Sequence, residues 1–141
     1  MTSKPTRTWT ARALWQSPGS VVLFVHDEPL IGLVASATNP VSPVEYQLIA
    51  VAGCFALSLE AARKAREWPE SVFDVTVQGS KAPDLPSRLE RIAISVSMQG
   101  PLDAVAQTTL IKDAKRLCTV TNTLANAPAL EVQLATTHEV A

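Results

Sequence analysis

The sequence predicts an α+β chain with mainly antiparallel strand pairing and one long apolar helix, and three patterns support this. Residues 7–15, 73–77 and 92–98 alternate apolar and polar side chains with the period of two expected of half-buried strands. The ten residues from Leu48 to Leu57 have no polar face and follow a helix-start signal. The stretch from Leu102 to about Leu117 repeats apolar residues at helical spacing. In a chain of 141 residues, 47% of them hydrophobic, these elements describe one domain over residues 1–141 with no evident boundary.

The first strand sets Trp9, Ala11, Ala13 and Trp15 on one face and Thr8, Thr10 and Arg12 on the other. Pro18-Gly19-Ser20 makes a turn, and Val21 to Val25 is a β-branched run expected to be a buried strand. His26-Asp27-Glu28-Pro29 ends that run, Leu30 to Ala35 offers a weaker strand, and Thr38 to Val41 leads to the helix. Ser42 suits the N-cap, Pro43 the first helical position and Glu45 the capping-box carboxylate. The helix is expected to run to about Trp68, with Arg63, Lys64 and Arg66 at its negative end and Pro69 stopping it.

After the helix, Phe73, Val75 and Val77 belong to one strand and Ile92, Ile94, Val96 and Met98 to a partner. Gly79 to Ser87 is too long for a tight hairpin and should be an exposed loop. In the second helix Ala106, Leu110, Ala114 and Leu117 form the apolar stripe. Cys118 ends it, and the β-branched, cap-rich Thr119 to Thr123 favours a break and restart. Leu130, Val132 and Leu134 mark a last strand.

Helix residues apolar on every side should be buried on every side, and the ten-residue run is about half a bilayer crossing, so this is read as a core helix. A domain this small surrounds a helix with one or two layers, so a second subunit, in a homodimer, is expected to complete the burial. The formal net charge is −1 with scattered basic residues, which leaves no footprint for nucleic acid or an anionic membrane. The polar N-terminus leads into no signal-like apolar segment, so the cytoplasm is the expected compartment. There, two cysteines are buried hydrophobes, metal ligands or redox thiols more often than a permanent staple. His26-Asp27-Glu28 alternates in direction and His138 lies near the chain end, so no metal is assigned. No phosphate loop, dinucleotide fingerprint or nucleophilic serine motif appears, and no cofactor is expected.

Two stretches carry a family resemblance. Ser42-Pro43-Val44-Glu45 through Leu48 to Ala52-Gly53-Cys54 resembles one cysteine signature of the OsmC/Ohr family, the osmotically inducible and organic-hydroperoxide-resistance proteins. Ala114-Lys115-Arg116-Leu117-Cys118-Thr119-Val120 through Leu124 resembles the other. Both occur in the family's order with 64 positions between the cysteines, and the likeness spans about residues 5 to 136. It implies an OsmC-like fold, an intertwined homodimer with the cysteine-bearing helices packed between sheets, and active sites at the subunit interface. It also implies thiol peroxidase chemistry on organic hydroperoxides. Cys54 would be the peroxidatic thiol and Cys118 the resolving one, their disulfide being reduced by a lipoyl-type dithiol.

Each of these residues also has a plainer reading. A cysteine in an apolar helix is commonly an inert buried thiol, and apolar surroundings raise its pKa. Basic neighbours of Cys118 are ordinary at a helix end. Glu45 is the carboxylate that, by resemblance, helps orient the site, and equally a capping-box residue. Nine residues on a straight helix are about 13 Å and half a turn apart, so Glu45 and Cys54 of one chain point to opposite sides. Peroxidase members of the family use an arginine, yet His26 to Glu45 contains neither arginine nor lysine. Arg12, with Arg7 second, is the N-terminal strand candidate. Trp9, Trp15, Phe24, Phe55, Trp68 and Phe73 suit either a hydroperoxide pocket or a core. A non-catalytic dimer that binds a small apolar or thiol-reactive ligand or senses redox state, and a purely structural dimer, stay open alongside the peroxidase.

Overall fold

The computed structural model describes residues 10–16, 20–25, 28–30 and 41–135. Arg7, Trp9, the Pro18-Gly19 turn, His26, Asp27, residues 31–40 and His138 lie outside the described residues. The chain divides into two compact units, Met1–Ile49 and Ala50–Ala141.

The first unit holds a sheet of β1 (Ala11–Gln16), β2 (Ser20–Val25) and β3 (Glu28–Leu30), antiparallel in the order β1-β2-β3. Arg12 pairs with Phe24 and is exposed. Glu28 and Pro29 were expected to end the second strand, but they belong to β3, with Pro29 opposite Phe24. An outer strand tolerates a proline because fewer ladder donors are required of it.

Helix α1 (Pro43–Ala65) begins as its sequence signals. The Ser42 amide donates to Glu45 Oε1 at 3.1 Å and the Glu45 amide to Ser42 Oγ at 3.3 Å, a complete capping box. The helix stops at Ala65 rather than near Trp68. Glu67 takes φ +54, the Trp68 amide reaches back to the Arg63 carbonyl at 3.2 Å, and the Glu67 amide reaches Lys64 at 3.0 Å. This is a Schellman close with a glutamate in the place glycine usually takes, so the sequence does not advertise it.

The second unit supplies the core. Strands β4 (Val72–Lys81) and β5 (Leu89–Gln99) pair antiparallel, with Val75 opposite Val96 and Val77 opposite Ile94. They extend into the expected loop: Gly79 to Lys81 are strand, and the connection is 82–88, closed by the Ala82 amide on the Arg88 carbonyl at 2.9 Å. Helix α2 (Ala104–Leu117) starts at Asp103, whose side chain accepts from the Ala106 amide at 2.8 Å. The expected break follows, and α3 (Thr119–Ala125) restarts the helix.

Phe55, Leu59, Ala62, Leu110, Ala114 and Cys118 form the buried cluster, with Phe73, Val75, Ile94 and Val96 packed against it. The α2 stripe ends on Cys118 rather than Leu117, which is 50% exposed. Spacing explains this, since 106, 110, 114 and 118 advance by four along one face and cysteine packs as a small hydrophobe. Arg66 at the end of α1 bonds Asp113 of α2 at 2.7 Å and lies over the Trp68 ring.

The expectation that α1 is buried on every side is not met within the single chain. Val51, Phe55, Leu59 and Ala62 are buried, but Ile49 is 57% and Leu57 74% exposed, with Gly53 exposed between them. At 23 residues the helix is long and apolar enough to cross a bilayer, yet one of its faces packs into the chain's own core. Residues 127–135 form no strand, and Leu130, Val132 and Leu134 are almost fully exposed. Their alternation remains that of a strand, but a strand forms only against a neighbour.

Candidate active site

Two helices and a helix break bring the cysteines together. Cys54 immediately precedes the buried Phe55 on α1 and is partly buried, while Cys118 is completely buried. Cys118 is at once the C-cap of α2 and the N-cap of α3, with φ −76 and ψ 102. Its amide donates to the Ala114 carbonyl at 2.8 Å, and its carbonyl accepts from the Asn122 amide at 3.0 Å. The junction is thus fixed from both sides. Both cysteines are free thiols.

Opposing influences act on the Cys118 thiol. Burial pushes its thiol up, but the Thr121 hydroxyl and amide, the Cys54 thiol and the Ser58 hydroxyl all favour the thiolate and together hold it below the ordinary value. The same hydroxyls touch the backbone: Ser58 Oγ donates to the Cys54 carbonyl at 2.8 Å and Thr121 Oγ1 to the Cys118 carbonyl at 3.2 Å. Sequence reasoning missed Ser58 and Thr121 as site residues. The available signals were spacing, with Ser58 four residues after Cys54 on one helix face and Thr121 at the third helical position after the Cys118 cap.

An apolar groove adjoins this pair. A hollow of about 370 Å³ is walled by Ile92, Ile94 and Val96 of β5, by Phe55, and by Ile111 and Thr121, with Lys115 at its edge. A second hollow of about 300 Å³ continues it past Val51 and Leu124, sharing Ile92, Ile94 and Thr121. Thr121 therefore lines the groove while its hydroxyl donates to the Cys118 carbonyl. Among the expected pocket aromatics, Phe55 lines the groove, whereas Trp68 and Phe73 pack on the core.

The remaining two expected site residues belong to the first unit. Glu45 is exposed in the capping box, and the Ser42 amide, then its hydroxyl, hold its carboxyl below the usual range. Arg12 lies on β1. Among the described residues no group of three His, Cys, Asp or Glu side chains could hold a metal ion.

The family model described as OsmC-like protein matches residues 36–133. No curated protein matches the chain. The fold is similar to the OsmC-like protein of Mycoplasma pneumoniae, with TM-score 0.75 at 16% identity, covering 86% of this chain and 89% of that one. An organic hydroperoxide resistance protein of Elizabethkingia anophelis aligns with TM-score 0.65 at 18% identity over 88% and 93% of the two chains. For the organic hydroperoxide resistance protein OhrB of Bacillus subtilis the TM-score is 0.58 at 18% identity, over 85% and 93%. A matched segment that holds both cysteines, set in an α+β fold shared along most of each chain, makes this protein a member of the OsmC family.

Proposed function

We propose that the chain is a cytoplasmic, thiol-dependent peroxidase of organic hydroperoxides in which Cys54 is oxidised and Cys118 resolves it. The observation that carries this reading is the packing of Cys54 against the buried cluster that holds Cys118, beside an apolar groove. Names of structural relatives as organic hydroperoxide resistance proteins support the substrate class. The Cys54 thiolate attacks the terminal peroxide oxygen, the O–O bond breaks, and the alkoxide leaves and takes a proton to become the alcohol. The Cys118 thiolate then displaces hydroxide from the Cys54 sulfenic acid, forming the disulfide before further oxidation traps the sulfur. A dithiol of lipoyl type returns both thiols by exchange, leaving as its own disulfide.

The reading includes a homodimer. The exposed stripe of Ile49, Gly53 and Leu57 and the unpaired alternation of Leu130, Val132 and Leu134 are apolar surfaces that a second copy would cover. Glu45 and Arg12 take supporting parts, Arg12 as the cation facing a thiolate and Glu45 as its orienting carboxylate.

Mass spectrometry after one equivalent of an organic hydroperoxide tests the assignment. The expected product is a Cys54–Cys118 disulfide in the wild type and a sulfenic acid on Cys54 in Cys118→Ser, both formed within seconds. Two unmodified thiols after many minutes would overturn it. A ligand-binding or sensing member of the family is then the better reading, because Cys118 is wholly enclosed.

A further inference from the structure

Basic residues that lie far apart in the sequence meet at one place in the second unit. Arg66, at the end of α1, stands 47 positions before Asp113 and bonds its carboxylate at 2.7 Å, while Arg116 bonds the other oxygen of the same group at 3.2 Å. Lys112 and Lys115 flank this tie on α2, and these five side chains with Thr109 wall a hollow of about 620 Å³. One carboxylate against four cations leaves the rim three charges in excess, in a chain whose formal net charge is −1. Among the described residues neither lysine has a carboxylate partner. Lys115 and Arg116 already complement the negative end of α2, so Lys112, one turn earlier, adds repulsion at three- and four-residue spacing and no further complement. The hollow also adjoins the groove beside the thiols. Lys115 lines both, and the groove wall includes Phe55 of the cluster that holds Cys118 and packs against Cys54.

We propose that this basic hollow is the docking surface for an acidic protein that carries the reducing dithiol, its charge seating the carrier while the apolar groove admits the dithiol arm. This rests on the peroxidase reading and adds to it the kind of partner that restores the thiols. The four cations are spread over two helices and more than one turn of α2, which matches a face of several carboxylates rather than a single anionic group. The apolar stripe that a second copy would cover, Ile49, Gly53 and Leu57, contributes no residue to the hollow. Exchange begins at Cys54, the less enclosed sulfur. One thiolate of the carrier attacks it, and the Cys54–Cys118 bond breaks with Cys118 leaving as a thiolate. The carrier's second thiolate then displaces the Cys54 sulfur, and the carrier departs as its own disulfide.

The test compares one dithiol on and off a protein: a dihydrolipoyl-bearing domain with an acidic surface, and free dihydrolipoamide, which is neutral. With the Cys54–Cys118 disulfide formed beforehand by diamide, reduction by the domain should slow about fivefold in Lys112→Glu and about tenfold as salt rises from about 0.02 M to about 0.5 M. Reduction by free dihydrolipoamide should change little in either case. Lys112→Arg should keep the rate, and Lys81→Glu, the same charge change on exposed β4, should leave it within about twofold of wild type. Polyglutamate titrated calorimetrically into reduced protein should bind at low salt, and several-fold more weakly to Lys112→Glu. Domain rates that ignore salt and Lys112→Glu, or that fall as far in Lys81→Glu, overturn the proposal. Phosphatidylglycerol vesicles that bind where polyglutamate does not would also overturn it, making the hollow a membrane contact. Because polyglutamate binding needs no turnover, it can fail while peroxide reduction stands, or succeed in a protein that reduces no peroxide.

Discussion

The two cysteines occupy unlike surroundings, although both lie in motifs of similar strength. Cys54 stands on a continuous helix, partly buried, with exposed Gly53 beside it and open space where a Gly53 side chain would point. Cys118 stands at a helix break, fully enclosed, its backbone pinned by Ala114 and Asn122 and its side chain in the buried apolar cluster. A helix presents a side chain to one side and leaves the other available. A junction between two helices fixes a sulfur from all sides. The difference suits the first to meeting a substrate and the second to holding its position, as the proposed chemistry requires.

Exchanging each sulfur for oxygen tests that contrast most strongly. Cys54→Ser should lower peroxide consumption by about a thousandfold or more, since the attacking atom is gone. Cys118→Ser should consume close to one equivalent and then stall, with sulfenic acid left on Cys54. Coupled peroxide assays and mass spectra separate the two. Equal behaviour of both variants would remove the division of labour.

Packing gives the next largest effect. Leu110 is completely buried against Cys118, and Leu110→Ala should cost about 2–5 kcal/mol in urea unfolding because the rigid junction collapses little around the cavity. A loss well under 1 kcal/mol would mean that the Cys118 side is not the firm one.

How much of this the sequence reveals follows from where each signal lives. The capping box at Ser42 and Glu45 and the restart after Cys118 are local chemistry, and both occur as expected. The helix end at Glu67 is not legible, because a left-handed glutamate has no distinctive residue type. The α2 stripe closes on Cys118 rather than Leu117 because cysteine packs as a small hydrophobe. Ser58 and Thr121 each look ordinary, and their place as donors to the carbonyls of the two cysteines shows only in the structure. The alternation at Leu130, Val132 and Leu134 reports a need for a neighbour, which no single chain reveals.

Acid should loosen three local carboxylate ties. Asp113 is held below the usual carboxylate range first by its bond from Arg66, Glu60 by its bond from Arg63, and Glu45 by the Ser42 amide. A carboxylate depressed in the folded state stabilises above its unfolded pKa and loses that contribution as pH falls through the folded one. Urea midpoints should therefore stay level from neutrality to about pH 5 and decline below about pH 4. Asp113→Asn should flatten part of the decline, and an unchanged slope would show that the α1–α2 tie does not matter.

Gly53 gives the smallest effect and the most discriminating one. A Cβ added there meets nothing within 4 Å in the single chain, so Gly53→Ala should gain about 0.5–1 kcal/mol by removing the glycine penalty inside a helix. If a second copy closes over Ile49, Gly53 and Leu57, the same methyl has to fit against a partner surface. The proposed dimer therefore predicts a concentration-dependent sign. Melting in dilute protein, where monomer prevails, should show the gain, while concentrated protein should show none or a loss. Sedimentation of the same samples should place the crossover at the dimer's dissociation concentration. A gain that is constant with concentration would mean that the face beside Cys54 remains open in solution, and the contrast between the two cysteines would then be a property of one chain alone.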